Sequence, residues 1–205
     1  AQAEGYYFDV DEWYRIISFI TNETCYPEGE LTGQKFVPEV WQSAVYANLF
    51  CWKKEGSNYR RYKECFIYVP RKNGKTTAFG AIITLLMFFY DKEQRSQNFC
   101  CAADVEQASV NFRHTEFMIQ QNQNLLCRLK DKRIYKSTRS FEHTDGSVFK
   151  TLSSVADTKH GLSPNFVYVD EVHAHTSGEL IDVMKTGTAS RRQPLTVYTT
   201  TADYD

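Results

Sequence analysis

The segment Arg71-Lys72-Asn73-Gly74-Lys75-Thr76-Thr77 follows the apolar run Phe66–Val69 and opens a second apolar stretch that reaches Tyr90. A strand, a turn and a helix start in that order can cradle phosphate. The unpaired N–H groups at a helix amino terminus, with the helix dipole, favour an anion there. Gly74 lets the backbone approach the phosphates, Lys75 supplies charge to the β and γ groups, and Thr76 offers a hydroxyl to Mg2+. The pattern G-x-x-x-x-G-K-[ST] is incomplete, because Val69 stands at the position of the first glycine. Gly-Lys-Thr alone is common by chance, and its bland reading is a charged surface turn.

A second pair of residues completes the chemistry. Phe166-Val167-Tyr168-Val169 runs directly into Asp170-Glu171. An apolar strand ending in two acids places the first carboxylate at the carboxyl edge of a sheet, where ligands bind in open α/β folds. Asp170 would hold Mg2+, and Glu171 would polarise the water that attacks a γ-phosphate. Another strand–helix unit lies between this pair and Lys75, a spacing that suits ATP hydrolysis with a catalytic glutamate. The bland alternative is two solvated acids at a strand end. His173 and His175 follow closely, but no cysteine partner or H-E-x-x-H pattern points to zinc.

The elements that must position these groups alternate in type. Candidate strands are Cys65–Val69, Asn98–Ala102, Phe166–Val169 and Leu195–Thr199, each short and nearly continuously apolar. That composition fits strands buried on both faces. Helices are predicted from Gly74 to Tyr90 and, capped by Asp104 with Glu106 or Gln107 in the first turn, to Asn122. Thr144-Asp145-Gly146 within Ile134–Leu152 signals a β-hairpin at the sheet edge. The predicted fold is therefore α/β: a mostly parallel sheet flanked by helices, with an edge hairpin. Residues 1–60 carry two amphipathic helical stretches, Val10–Ile20 and Pro38–Lys53, separated by a polar loop at Thr21–Gly33. They are read as a helical segment of the same domain, whose core is residues 61–205.

The chain has 205 residues, 42% hydrophobic and 24% charged, enough for one domain with a real core. A net charge of −1 says little about partners. Locally, Lys130, Lys132, Arg133, Lys136 and Arg139 stand against one acid, Asp131. Such a run is either a solvated face or a phosphate-backbone contact. Cys25, Cys51, Cys65, Cys100, Cys101 and Cys127 form no C-x-x-C pair, which reads as a reducing, intracellular setting. The apolar stretch Ala81–Tyr90, about ten residues, is too short to span a bilayer. No membrane association and no signal peptide are expected.

At this point the sequence resembles the ATPase domain of the large terminase subunits of tailed bacteriophages, over roughly residues 6–205. Phe36-Val37-Pro38-Glu39-Val40-Trp41-Gln42 is similar to the family's adenine-recognition segment, in which a glutamine reads the purine edge. Arg71–Thr76 is similar to its deviant Walker A, which often lacks the first glycine. Cys101–Ala108 resembles the following strand-to-helix element. Gly146-Ser147, Leu152–Ser154 and His160–Pro164 lead into Val167–Ala174 as in that family, and Thr199-Thr200-Thr201-Ala202 resembles its coupling motif. Asp203 departs from the pattern, where many relatives place glycine.

The resemblance implies a P-loop ATPase fold and ATP with Mg2+ as ligands. Gln42, Arg71, Lys72, Asn73, Gly74, Lys75, Thr76 and Thr77 would bind nucleotide, Thr76 and Asp170 metal, and Thr200, Thr201 and Ala202 would couple hydrolysis to movement. It further implies pumping of double-stranded DNA into a procapsid in the host cytoplasm, by a five-fold ring working with a portal protein and a small terminase subunit. A separate nuclease and a lid segment would lie outside this chain, which reads as a fragment. Transition-state charge calls for a cation. Arg71 is the candidate in cis, Arg139 the candidate from a neighbouring subunit, with Arg191 and Arg192 behind it. Alternative readings are a helicase or remodelling ATPase and a nucleotide switch of low turnover. Glu171 argues against the switch, and a small-molecule kinase lacks a second-substrate signature.

Overall fold

A computed structural model describes residues 5–91, 93–153, 161–175 and 178–201. In chain order the elements are β1 (Tyr6–Phe8), α1 (Val10–Glu23), α2 (Val40–Cys51), β2 (Trp52–Lys54), β3 (Glu64–Val69) and α3 (residues 76–90). They continue with β4 (Gln97–Ala102), α4 (Val105–Gln121), α5 (Gln123–Arg128), β5 (Leu129–Tyr135), β6 (Ser140–His143), β7 (Val148–Ser153), β8 (Pro164–Val169), α6 (Glu179–Gly187) and β9 (Leu195–Thr201).

Among the described residues, β3 to β9 form one sheet in the order β3-β9-β8-β4-β7-β6-β5. The first four pairings run parallel and the last two antiparallel, so the predicted mostly parallel sheet is what forms. The central strands β4 and β8 are short and buried because helices cover both faces, whereas β3, expected to be buried on both faces, lies at the sheet edge and leaves Phe66 and Tyr68 exposed. On one face α3 and α4 pack Phe79, Ile82, Ile83, Phe112 and Met118 against Phe149, Phe166 and Tyr168. On the other, Leu180 and Met184 of α6 meet Phe99, Val167 and Val169. Helices α1 and α2 contribute Ile16, Ile20, Tyr46 and Phe50 to the larger of these two cores.

Local chemistry sets the helix starts. Asp9 and Asp104 cap α1 and α4 by accepting from Glu12 N and Gln107 N, each at 2.8 Å. Glu39 and Gln42 form a reciprocal capping box at the start of α2. Gly80 marks the closest approach of α3 to the sheet, where an added Cβ would lie 2.4 Å from Asn111 Nδ2 and 3.0 Å from the Tyr168 ring. Helix α3 is wound as π-helix over Thr76–Ala81 and Leu86–Tyr90, with an α-helical stretch, Ile82–Leu85, between.

Two expectations need correction. The helix predicted to reach Lys53 stops at Cys51, because Trp52–Lys54 pairs with Tyr6–Phe8 and Trp52 stacks edge-on against Phe8 at 5.4 Å. A partner strand nearly fifty residues away overrides helical periodicity. The predicted hairpin exists as β6–β7, with a positive φ of +86° at Gly146. It is extended by β5, an edge strand that begins at Leu129 rather than Ile134. The ladder slips between Leu129 and Ile134, where Asp131 and Lys132 bulge out in left-handed conformation. The basic run thus lies on an exposed edge, where charge also discourages edge-to-edge pairing. All six cysteines are free thiols. Among the described residues no helix is long and apolar enough to cross a membrane.

Candidate nucleotide-binding and catalytic site

The carboxyl ends of β3, β8 and β9 lie side by side, and the residues that follow β3 and β8 are those whose chemistry the sequence singled out. After β3 the chain turns through Lys72 and Gly74, both left-handed at φ 67° and 68°. Alternation of this kind turns successive N–H groups to one side, a concavity that suits an anion. Asn73 braces the turn by donating to Pro70 O at 3.1 Å. Val69, at the first-glycine position, is the last residue of β3 and pairs with Thr201. No left-handed backbone is required there, so valine is accommodated.

Lys75 is 8% exposed and its Nζ contacts Glu171 Oε1, which joins the two halves of the predicted site. Thr76 opens α3. Thr77 Oγ1 lies 3.2 Å from His114 Nδ1, and His114 Nε2 lies 3.4 Å from Glu28 Oε2. Gln42 is buried beside the loop, with Nε2 3.8 Å from where a Gly74 Cβ would stand and Oε1 accepting from Glu39 N at 2.9 Å. Arg71 and Lys72 are exposed on the turn.

Asp170 is 4% exposed. Its Oδ1 accepts from Thr199 Oγ1 at 2.9 Å, Tyr168 OH at 3.1 Å and Glu171 N at 3.1 Å. Burial pushes its carboxyl above the usual range, against these hydroxyls and the Lys75 charge, which pull it down. A buried carboxylate whose direct side-chain partners are hydroxyls is one that a small cation would compensate. The donors on offer, a threonine hydroxyl and a carboxylate, are oxygens, as Mg2+ requires. Thr76 and Asp170 therefore fit that ion.

Glu171 sits in left-handed conformation, φ 46° and ψ 63°, at the end of β8. A non-glycine residue held there stores strain of about 1–3 kcal/mol and marks a constrained position. Its Oε2 lies 3.3 Å from Thr201 Oγ1 and 3.4 Å from His173 Nδ1, while His173 Nδ1 lies 2.7 Å from Thr200 Oγ1. His175 turns inward instead, with Nε2 3.2 Å from Asp170 O. Thr201 therefore sits against Glu171 and Thr200 against His173; Ala202 and Asp203, like Ser154 and His160, lie outside the described residues.

The remaining arginines are not brought to the loop. Arg139 ends the turn after β5 and its carbonyl accepts from Thr151 N at 3.1 Å. It lies beside β7, four strand positions from β3, about 19 Å at the usual strand spacing. Arg191 is tied to Ser163 O at 3.0 Å and Glu93 at 3.1 Å, at the opposite sheet edge, and Arg192 is exposed beside it.

Sequence reasoning gave no role to Tyr168 or His114, named Thr199 only within the coupling motif, and weighed His173 only as a metal ligand. Tyr168 was within reach, since residues two apart on a strand share a face. Thr199 and His173 required the β8–β9 register, which pairs Val169 with Tyr198. His114 required knowing that α4 lies against α3.

Comparison with known proteins gives concordant results. A family model described as terminase large subunit, ATPase domain, matches residues 40–205. The terminase large subunit of Enterobacteria phage HK97 is 27% identical over 197 residues, covering 91% of this chain and 36% of that protein. The crystal structure of the HK97 large terminase aligns with a TM-score of 0.73 at 25% identity, over 92% of this chain and 37% of that one. The ATPase domain of the Thermus phage P74-26 large terminase shares the fold, with a TM-score of 0.58 at 15% identity over 88% of this chain and 72% of that one. The chain spans little more than a third of the length of the HK97 protein.

Proposed function

From the premise that the chain belongs to the terminase large-subunit ATPase-domain family, we propose that it hydrolyses ATP with Mg2+ at the Lys75–Glu171 site to drive double-stranded DNA into a procapsid. The contact of Lys75 Nζ with Glu171 Oε1 carries the reading, because it unites the phosphate loop and the acid pair in one place. Lys75 exchanges this carboxylate for the β and γ phosphates when the triphosphate enters, which releases Glu171 to orient and deprotonate the attacking water. Thr76 and Asp170 hold Mg2+, which when bound neutralises charge on the phosphates.

Arg71, Lys72, Asn73, Gly74 and Thr77 complete the phosphate cradle, and the free amide edge of Gln42 reads the purine. Arg71 supplies cis charge; Arg139, too far from its own loop, acts on a neighbouring subunit. Thr200, Thr201 and Ala202 pass the state of the acid pair to β9. Packing of α1 and α2 into the same core as α3 supports reading residues 1–60 as part of the ATPase domain. The assembled machine is a five-fold ring acting in the host cytoplasm with a portal protein and a small terminase subunit. The nuclease belongs to a separate domain.

Steady-state hydrolysis and nucleotide binding, with and without duplex DNA, test the assignment. Lys75→Ala and Glu171→Ala are each expected to lower turnover by about 10²–10⁴-fold, with ATP binding retained in Glu171→Ala. Normal hydrolysis by Glu171→Ala would refute the mechanism.

A further inference from the structure

Three successive threonines at the end of β9 engage three different partners around the acid pair. Thr199 donates to Asp170 Oδ1 at 2.9 Å, Thr200 Oγ1 lies 2.7 Å from His173 Nδ1, and Thr201 Oγ1 lies 3.3 Å from Glu171 Oε2. Alternation along the strand puts Thr199 and Thr201 on one face and Thr200 on the other. The acid pair is thus gripped directly from one face of β9. From the other face, among the described residues, it is reached through His173, whose Nδ1 is also 3.4 Å from Glu171 Oε2.

We propose that His173 is a positioning residue for hydrolysis, a strut that fixes the Glu171 carboxylate against Thr200 of β9; this rests on the reading of Glu171 as the water-activating base. The need for a strut follows from the backbone. Glu171 departs from β8 in left-handed conformation, so strand geometry does not aim its side chain. Its Oε1 is taken by Lys75, and once Lys75 turns to phosphate only the partners of Oε2 hold the carboxylate in place. The tautomer follows from the same geometry. A bare Nδ1 lone pair facing a carboxylate oxygen would be repelled, so Nδ1 carries the proton. It donates to Thr200 Oγ1, with Glu171 Oε2 as a second, longer acceptor. The 3-10 turn Val172–Ala174, closed by Ala174 N donating to Glu171 O at 2.8 Å, keeps the imidazole within reach of both.

The test exploits which ring nitrogen is used. Asparagine places its amide nitrogen where Nδ1 lies, whereas glutamine places it near Nε2. In the full chain with ATP and Mg2+, His173→Ala should lower kcat on the order of tenfold, the loss of one positioning hydrogen bond, with KM for ATP and Tm unchanged. His173→Asn should restore most of the rate and His173→Gln should not. Thr200→Val should lower kcat similarly, and the double variant His173→Ala/Thr200→Val should be no slower than either single one. Full activity in His173→Ala, equal behaviour of the Asn and Gln variants, or a loss confined to KM or Tm would each overturn the inference. If Glu171→Ala itself turns over normally, the assignment of the base fails. If Glu171→Ala is dead while His173→Ala is normal, only the strut fails.

Discussion

Asp170 shows at the level of one side chain how a functional site works against stability. Its carboxylate is almost fully enclosed, and burial raises its pKa above the ordinary 3.8. The protein therefore binds this proton more tightly folded than unfolded. Below the ordinary carboxylate range the group is protonated in both states and imposes no penalty. As pH rises through the raised value, the folded state must bury a charge, and stability falls relative to a neutral isostere. Asp170→Asn keeps an oxygen to accept from Thr199 and Tyr168. It is expected to unfold at higher denaturant than the parent at neutral pH, with the advantage vanishing in acid, while ATP turnover is lost. An Asn variant less stable than the parent at neutral pH would contradict the burial argument. Residue types alone flagged Lys75, Thr76, Asp170 and Glu171. Of the hydroxyls that hold Asp170, that of Tyr168 comes from its own strand and that of Thr199 from the neighbouring one, and register between strands is not written in either strand by itself.

Among the elements, α3 makes the tightest demand, because it must both present the phosphate loop and lie flat on the sheet. Gly80 is the point of contact, with the Asn111 amide and the Tyr168 ring where a side chain would go. Gly80→Val should destabilise the fold by about 1–3 kcal/mol, read as a shift in the midpoint of chemical unfolding, despite removing a helix-weakening glycine. A neutral or stabilising result would mean that α3 can lift from β8. Strands β4, β8 and β9 were legible because burial on both faces favours apolar and β-branched residues; β3 was legible from the same kind of run although, at the sheet edge, it leaves Phe66 and Tyr68 exposed. Strand β5 was not: its residues are mostly exposed and charged, and its place depends on pairing with β6 across a register shift between Leu129 and Ile134. The end of α2 failed for a similar reason, since β1 and β2 exist only as each other's partner.

For the molecule as a whole, the buried His114 and the half-buried His175 weaken the fold in acid. Desolvation holds His114 and His175 below the ordinary value of 6.5, against the pull of Glu28 on the first and Asp170 on the second. Their neutral forms contribute stability that is fully present above about 6.5 and is lost as pH falls through the lowered values. Unfolding midpoints should fall as pH drops below about 6.5, and His114→Gln should flatten that decline. Assembly is tested by mixing. Arg139 stands about four strands from the loop of its own subunit, so Arg139→Ala and Lys75→Ala, each inactive alone, should regain partial ATPase activity when combined in one ring. Absence of complementation, with mixed rings demonstrated by sizing, would remove Arg139 from the transition state.

The phosphate loop, the acid pair, the parallel sheet and the family resemblance were determined by the sequence itself. They depend on local order: an apolar strand, then a turn, then a charged or acidic residue at a fixed offset. Tertiary structure alone decided that Lys75 and Glu171 touch, that Thr199 and Thr201 of β9 grip the acid pair while Thr200 meets His173, and that Arg139 stands apart from both. Those facts depend on strand order and on the half-buried contacts of residues far apart in the chain, and no single segment encodes the position of its neighbour.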